Sequence, residues 1–235
     1  MKVVILAGGY GTRLAEETKV KPKPLVKIGG KPIIWHIIKI YSYYGIKDFI
    51  ICLGYKGALL KKELNKLNIN KSWNLKYVNT GLKTMTGGRV KRIQKHISKD
   101  KNFCLSYGDG LSDVNLNSLI KFHKKNRKIA TLTAVKYKNP KGVLSIDKKS
   151  KIKTIKEKPI EYINGGFFVL STKVFKYLKN DNTIFEKDCL PKLTRINQLL
   201  AFKHNGFWAC MDTLREKKEL NKIWRSKQKA WKIWL

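Results

Sequence analysis

The sequence predicts an α/β fold in which a doubly wound, mainly parallel sheet is flanked by helices. Short continuous apolar runs alternate with amphipathic helical patterns through the first half of the chain. Buried parallel strands are apolar on both faces, so continuous runs rather than alternating ones are typical of them. Two of these runs lead into glycine turns, at residues 8–11 and 108–110. Because ligands bind beyond the carboxyl ends of such strands, both turns are expected at a binding site.

The first half of the chain predicts four strands and four helices in alternation. Pro32 is well placed to begin a helix, and Gly45 to end it. The expected strands cover residues 2–7, 48–53, 75–79 and 102–107. The expected helices cover residues 33–44, 58–67, 89–97 and 115–126.

The second half is richer in strands. Strands are expected within 129–170, in the runs IATLTAV, GVLSID, KIKTIKE and GGFFVL, and at 199–202. A helical stretch is expected over roughly 172–197. Thr213 and Glu216 have the spacing of a capping box and open a helix, LREKKELNKIW. The last residues, KAWKIWL, form an aromatic tail. No linker or internal repeat interrupts the chain, so residues 1–235 are treated as one domain.

The net charge of +35 allows two interpretations. It could be an electrostatic footprint for nucleic acid or an anionic membrane. The basic residues, however, are mostly Lys and are spread over the whole length, which favours a compositional origin. We therefore expect no specific nucleic-acid partner.

No membrane association is expected, because no apolar run approaches the roughly 20 residues that span a bilayer. The N-terminal apolar run is too short for a signal peptide, so a cytoplasmic protein is expected. The cysteines are widely spaced and are expected to be reduced and structural, at Cys52, Cys104, Cys189 and Cys210. The four histidines show no metal-ligand spacing.

The glycine turn after the first strand is the first candidate site. Glycines expose backbone N–H groups that can hold phosphate oxygens, so the turn predicts a nucleoside triphosphate site. No G-x-x-x-x-G-K-[ST] motif is present. The dinucleotide fingerprint also fails, because Leu14 stands where its third glycine should be.

The longer string is more specific. L-A-G-G-x-G-T-R-L, then K-P-K-P-L-V and G-G-K-P, resembles the sugar-phosphate nucleotidyltransferase family. Later segments agree: Gly108-Asp109-Gly110, Glu157-Lys158-Pro159, Asn164-Gly165-Gly166-Phe167 and Met211-Asp212-Thr213. Within the family, TMTGGR-x-K-R and GFW-x-x-MDTLR are most similar to the glucose-1-phosphate cytidylyltransferases. The resemblance covers nearly the whole chain and implies a Rossmann-like fold of the nucleotide-diphospho-sugar transferase type.

The resemblance implies that CTP and α-D-glucose 1-phosphate are converted to CDP-glucose and pyrophosphate with Mg²⁺. Both reactants are anionic, so the protein must neutralise phosphates and align the reacting atoms. Arg13 suits the triphosphate and Lys23 the reacting phosphate, and the resemblance makes these two and Asp109 the catalytic residues. It also assigns Asp109 and Asp212 to the metal.

The same residue-by-residue comparison implies two binding sets. The nucleotide-binding positions are Leu6, Ala7, Gly8, Gly9, Gly11, Thr12, Arg13, Lys23, Thr84, Gly87, Arg89 and Gly108. The sugar-phosphate-binding positions are Glu157, Lys158, Gly165 and Gly166.

One departure from the family concerns residues 61–75, where the chain is shorter than expected. The family uses this region in subunit contacts, so the implied homo-oligomer is left open in size.

Three alternatives stay open: a different nucleotide or sugar, a basic nucleic-acid-binding protein, and a catalytically silent subunit. The intact Arg13, Lys23, Asp109 and Asp212 argue against the last.

Overall fold

The protein is described by a computed structural model that covers residues 1–68, 71–97, 100–139, 141–226 and 230–234. Thirteen strands are found in this part of the chain. They are β1 Lys2–Leu6, β2 Lys27–Ile28, β3 Lys31–Pro32, β4 Asp48–Leu53, β5 Asn74–Asn79, β6 Asn102–Tyr107, β7 Gly110–Ser112, β8 Ala130–Lys138, β9 Val143–Ile146, β10 Ile152–Lys156, β11 Ile160–Ser171, β12 Leu199–His204 and β13 Trp208–Cys210.

The described residues also form eight α-helices and several shorter helical turns. The α-helices are α1 Ala15–Thr18, α2 Ile33–Tyr43, α3 Gly57–Leu67, α4 Thr86–Arg92, α5 Gln94–Ile97, α6 Leu116–Asn126, α7 Leu190–Arg195 and α8 Leu214–Arg225. Single turns of 3₁₀ helix occur at Thr12–Leu14 and Lys23–Leu25, a longer one at Thr172–Tyr177, and a π-helical turn at Phe185–Cys189.

The main sheet has seven strands in the order β12-β8-β11-β6-β1-β4-β5. Strand β1 pairs in parallel with β4 on one side and with β6 on the other. Strand β11 runs antiparallel to both its neighbours, β6 and β8, and makes the sheet mixed. The predicted mainly parallel mixed sheet is therefore confirmed.

Helices cover both faces of this sheet, as the continuous apolar runs predicted. Val3 and Ile5 on β1 pack into one core with α2 and α3, whereas Val4 points into a second core with α4 and α5. Successive side chains of a strand point to opposite faces, so a strand buried on both sides must be apolar at every position. This is the doubly wound arrangement.

Two helical predictions need correction. The helix expected over 89–97 begins at Thr86 and is interrupted at Ile93 between α4 and α5. The stretch over 172–197 is not one helix, because the chain between Tyr177 and Phe185 is non-helical. There Thr183 Oγ1 accepts a hydrogen bond from the N–H of Asn180, at 3.1 Å. Short polar side chains that bond nearby backbone compete in this way with helix formation.

Other elements agree with the sequence more closely. Thr213 and Glu216 form the predicted capping box of α8. The two-stranded sheet of β7 and β13 was not predicted, because strands of three residues carry no readable pattern. All four cysteines are free. No helix in the described ranges is long and apolar enough to cross a membrane.

The aromatic tail packs onto α2. The indole of Trp231 is fully buried, and its Nε1 donates to Nδ1 of His36 at 3.3 Å. Nε2 of His36 lies 2.9 Å from the carbonyl of Ile28. Burial lowers the pKa of His36 to about 4, so this ring is neutral at physiological pH. Residues 227 and 228 before the tail, Lys229 and Leu235 within it, and residues 69 and 70 in the shortened 61–75 region lie outside the described residues.

Candidate active site

The candidate site lies where β1 and β6 end side by side. Leu6 is in register with Tyr107, so the glycine loop after β1 and the Gly108–Asp109 turn after β6 begin next to each other. In the main sheet β4 lies on one side of β1, and β6, which comes later in the chain, lies on the other. The strand order therefore changes direction at β1, which is a topological switch point. Sheets of this kind open a crevice at such a point.

The glycine loop is held close to neighbouring backbone. Gly11 has a φ of 68°, in the left-handed region that favours glycine. A Cβ on Gly8 would lie 2.1 Å from Nη1 of Arg89, so a side chain there would displace the guanidinium. The carbonyl of Gly8 accepts a hydrogen bond from the N–H of Tyr55 at 3.1 Å. The loop conformation thus depends on contacts with the ends of other elements.

Arg89 holds the glycine loop through a hydrogen bond to its backbone, and we call this side chain the clamp. Its side chain is buried, and its guanidinium donates to Gly8 O at 2.9 Å and to Thr80 Oγ1 at 2.7 Å. It also donates to the carbonyls of Leu53, Gly81 and Leu82. Burial lowers the pKa of Arg89, but arginine stays charged in proteins. One planar cation therefore joins the glycine loop to the loops after β4 and β5.

Lys23 lies at the centre of the charged groups. Its Nζ is 2.7 Å from Oδ2 of Asp109 and 2.5 Å from Oδ1 of Asp212. The other oxygen of Asp212 accepts Arg13 Nη1 at 2.8 Å. Burial alone would lower the pKa of Lys23, but the two carboxylates outweigh it and raise the pKa above its ordinary value. Lys23 is therefore fully charged at neutral pH.

The small β7–β13 sheet brings the two aspartates together. Strand β7 follows Asp109 directly and β13 precedes Asp212, and their antiparallel pairing sets Gly110 opposite Cys210. The N–H of Met211 also donates to the carbonyl of Asp109 at 3.0 Å. Glu216 holds the following turn, accepting the N–H of Asp212 at 2.7 Å. Two carboxylates distant in sequence thus face one ammonium.

Two clefts open at this edge and share Leu6, Gly9, Thr86, Gly108 and Asp109. The first, which we call the acidic cleft, has a volume of about 320 Å³ and is also lined by Ala7, Gly11, Thr12, Arg13, Lys23, Pro24 and Asp212. The second, which we call the apolar cleft, has a volume of about 340 Å³ and is also lined by Gly8, Tyr10, Leu82, Lys83, Thr84, Met85, Arg89 and Tyr107.

Of the predicted nucleotide-binding residues, Gly87 alone lines neither cleft. A Cβ on Gly87 would lie 2.8 Å from the carbonyl of Thr183, and one on Gly88 would lie 2.5 Å from the carbonyl of Asp181. These glycines allow α4 to pack closely against residues 181–185. In this structure they serve that contact.

The predicted sugar-phosphate residues are not gathered at the clefts. Glu157 and Lys158 lie in the turn between β10 and β11, with side chains 73% and 54% exposed. Gly165 and Gly166 lie on β11, where the pairing with β8 shifts register between Asn164 and Phe168. The carbonyl of Gly165 accepts Nε1 of Trp208 at 2.7 Å.

Several lining residues, Tyr10, Leu82 and Tyr107 among them, were not predicted from the sequence. Met85 lies in the segment 84–89, which by the family resemblance is expected to contact the base and ribose. Tyr10, Leu82 and Met85 are large apolar side chains that stay 44–49% exposed around the apolar cleft. Tyr107 gave no signal, because the last residue of an apolar strand is expected to lie in the core. A lining of apolar and aromatic side chains with a few polar groups is typical of small-molecule binding sites.

The two aspartates fit a divalent metal. No group of three or more His, Cys, Asp and Glu side chains that could hold a metal occurs among the described residues. Asp109 and Asp212, however, supply hard carboxylate oxygens that both face the ammonium of Lys23 and so lie close to each other. Mg²⁺ is usually held by one or two carboxylates together with substrate phosphates, so this pair matches its needs.

Residues 2–224 match the model of the nucleotidyl transferase family. The chain is 45% identical to the glucose-1-phosphate cytidylyltransferase of Salmonella typhimurium, in an alignment of 257 positions that covers all of both chains. It is 34% identical to a mannose-1-phosphate guanyltransferase of Yarrowia lipolytica, over 88% of this chain and 60% of that protein.

A solved structure shares the fold. HddC from Yersinia pseudotuberculosis superposes with a TM-score of 0.78 at 27% identity, covering 95% of this chain and 99% of that one. The resemblance drawn from the glycine-loop string is thereby confirmed along the chain. With its family model, its relatives and its sheet in agreement, the chain belongs to the nucleotidyl transferase family.

Proposed function

We propose that the protein transfers a cytidylyl group from CTP to α-D-glucose 1-phosphate, giving CDP-glucose and pyrophosphate. The observation that carries this proposal is the placement of Lys23 between Asp109 and Asp212, beside the glycine loop. The choice of nucleotide and sugar is supported by the 45% identity to a relative named glucose-1-phosphate cytidylyltransferase. Residues 1–235 act in this proposal as one domain.

In the proposed reaction a phosphate oxygen of the sugar phosphate attacks the α-phosphorus of CTP. The new P–O bond forms as the bond from the α-phosphorus to the bridging oxygen of the β-phosphate breaks, and pyrophosphate leaves. No side-chain nucleophile is needed. The protein's contribution is to align the two anions and neutralise their charge.

The residues of the acidic cleft suit this task. In this proposal the exposed guanidinium of Arg13 and the N–H groups of the glycine loop bind the β- and γ-phosphates. Lys23, whose raised pKa keeps it charged, binds the α-phosphate. Asp109 and Asp212 hold Mg²⁺ in this proposal, and the bound ion would further offset the charge on the phosphates.

The apolar cleft is assigned to the base and ribose. Tyr10, Leu82 and Met85 supply apolar contact for the cytosine ring, and Thr84 lies among them. Glu157, Lys158, Gly165 and Gly166 are assigned to the sugar phosphate, on the strength of their match to the family motif. The protein is proposed to work in the cytoplasm.

A homo-oligomer is also proposed. Strands β9 and β10 leave large apolar side chains in solvent, including Ile146 at 59% and Ile155 at 68% exposure. Exposed apolar patches of this kind are typical of protein interfaces.

The test is a pyrophosphate-release assay over a grid of CTP, UTP, dTTP and GTP against glucose 1-phosphate, mannose 1-phosphate and galactose 1-phosphate. We expect CTP with glucose 1-phosphate to give the highest kcat/KM. Removal of divalent metal with EDTA should stop the reaction, and added Mg²⁺ should restore it. A higher kcat/KM with UTP or dTTP would overturn the base assignment, and no release from any pair would overturn the proposed reaction.

A further inference from the structure

One partly buried carboxylate, that of Glu186, connects the clefts to the predicted sugar segment. Glu186 lines neither cleft. Its Oε2 accepts the hydroxyl of Thr86 at 2.7 Å, and its Oε1 accepts the hydroxyl of Tyr107 at 2.5 Å. Thr86 lines both clefts, and Tyr107 lines the apolar cleft.

The chain of hydrogen bonds continues beyond Tyr107. Nδ2 of Asn164 donates to the Tyr107 hydroxyl at 3.1 Å, and Oδ1 of Asn164 accepts the N–H of Gly166 at 2.9 Å. Gly166 has a φ of 78°, and a Cβ there would lie 2.8 Å from Cδ2 of Tyr107. The ring and the hydroxyl of Tyr107 therefore both hold the irregular turn at Gly165 and Gly166.

The carboxylate sets the direction of these bonds. An ionised carboxylate only accepts, so both hydroxyls must donate to Glu186. Tyr107 is then left with its oxygen lone pairs and accepts the amide of Asn164. That orientation leaves the Asn164 oxygen for Gly166.

The backbone that carries Glu186 is built to aim it. Glu186 lies in the π-helical turn Phe185–Cys189, an uncommon element that often occurs at functional sites. Phe185 and Cys189 are fully buried and anchor the turn. Oδ2 of Asp188 accepts the N–H of Ile184 at 2.6 Å, and Thr86 Oγ1 accepts the N–H of Phe185 at 2.9 Å.

We propose that Glu186 is a positioning residue that fixes the nucleotide side of the site relative to the sugar side. It acts through Thr86 on one side and through Tyr107 and Asn164 on the other. This inference rests on the proposed function, since it takes the Asn164–Gly166 turn as part of the sugar-phosphate site. Glu186 touches no reacting atom in it. Its role is to keep the two binding surfaces in one relative placement.

The test is the isosteric variant Glu186→Gln, in which one of the two accepting oxygens becomes a donor. A hydrogen bond to a charged group contributes on the order of tenfold or more to binding, so we expect KM for CTP and for glucose 1-phosphate each to rise about tenfold. The value of kcat should stay within about threefold, because Lys23 and Asp109 are untouched. Glu63→Gln, on the exposed side of α3, is the matched control and should change neither KM.

A merely structural role predicts a different result. Loss of folded protein would lower the apparent kcat and leave both KM values unchanged, and that outcome overturns the proposal. A second variant, Tyr107→Phe, breaks the same chain without altering Glu186 and keeps the test valid if Glu186→Gln folds poorly. It should raise KM for glucose 1-phosphate, and the double variant should be no worse than the more impaired single one. Additive effects would overturn a shared pathway.

Failure of the proposed function remains distinguishable. If the wild-type protein prefers another nucleotide or sugar phosphate, the same variants are measured with the preferred pair. The Glu186 proposal then stands or falls on the KM values of that pair. Tyr77→Phe, which loses a hydroxyl bonded to Asn65 at the surface, is the control for the tyrosine change.

Discussion

The glycine loop is held by a hydrogen bond from a buried side chain, whereas the turn that carries Glu157 and Lys158 is exposed to solvent. Arg89 is 4% exposed and fastens the loop through Gly8. Lys158 is 54% exposed at the side chain, and its contact with Glu157 spans 3.8 Å. The proposed nucleotide side is therefore held by buried contacts of the folded chain itself. The proposed sugar side has such contacts only at Asn164–Gly166, and its Glu157–Lys158 turn is exposed.

The largest effect is expected at the acidic cleft. Asp109→Asn removes the negative charge that faces Lys23 and one proposed metal ligand, so kcat should fall about a thousandfold or more. The melting temperature should change little. Pyrophosphate release and thermal unfolding measure the two. Asp48→Asn, at the exposed start of β4, is the matched control. Undiminished activity of Asp109→Asn would remove Asp109 from the site.

A smaller effect is expected at the clamp. Arg89→Lys replaces a planar fork with a point charge that cannot reach Gly8, Thr80 and Gly81 together. Loss of these buried bonds should cost about 2 kcal/mol of unfolding free energy, which corresponds to roughly 4–8 °C in melting temperature. KM for CTP should rise about tenfold as the loop loosens.

The control for the clamp is Arg92→Lys, since Arg92 pairs with Asp181 at the surface of the same helix. A surface ion pair contributes about 1 kcal/mol at most, so this variant should unfold near the wild-type temperature. An Arg89→Lys protein with wild-type stability and wild-type KM for CTP would show that the glycine loop holds its shape without the clamp.

The smallest effect is expected at the exposed turn. Lys158→Met keeps the length of the side chain and removes its charge. We expect KM for glucose 1-phosphate to rise about fivefold to tenfold, with KM for CTP within about twofold and the melting temperature unchanged. Lys153→Met, on β10 of the same exposed pair of strands, should change none of these. An unchanged KM for glucose 1-phosphate would take Lys158 out of the proposed sugar-phosphate set and sharpen the contrast between the two sides.

Much of the fold could be predicted because its signals are local. The apolar runs of β1, β4 and β6 mark buried strands, and the capping box of Thr213 and Glu216 marks the start of α8. The region after Thr172 was harder, because polar residues there bond their own backbone and replace a helix with shorter turns. Strands β7 and β13 are too short to show a pattern.

Some residues of the candidate site could likewise be identified from a local motif, whereas others could not. The glycine loop, Arg13 and Lys23 lie within one continuous string, so a sequence motif identifies them together. Gly87 belongs to a separate segment, T-M-T-G-G-R; in the fold it lies against Thr183, and its contact with the nucleotide stays a prediction. Glu186 and Tyr107 carry no motif of their own, and their hydrogen bond joins residues 79 positions apart.

The sequence by itself determined the order of most elements and the glycine loop, because continuous apolar runs and glycine turns act over a few residues. The family followed from the resemblance of the motif strings. Only the tertiary structure decided that Lys23 meets Asp212 across 189 positions and that Arg89 reaches back 81 positions to Gly8. These contacts follow from the strand order, which sets β6 beside β1 and folds β13 back onto β7. Charges so far apart in the chain converge only when the sheet has brought their strand ends to one edge.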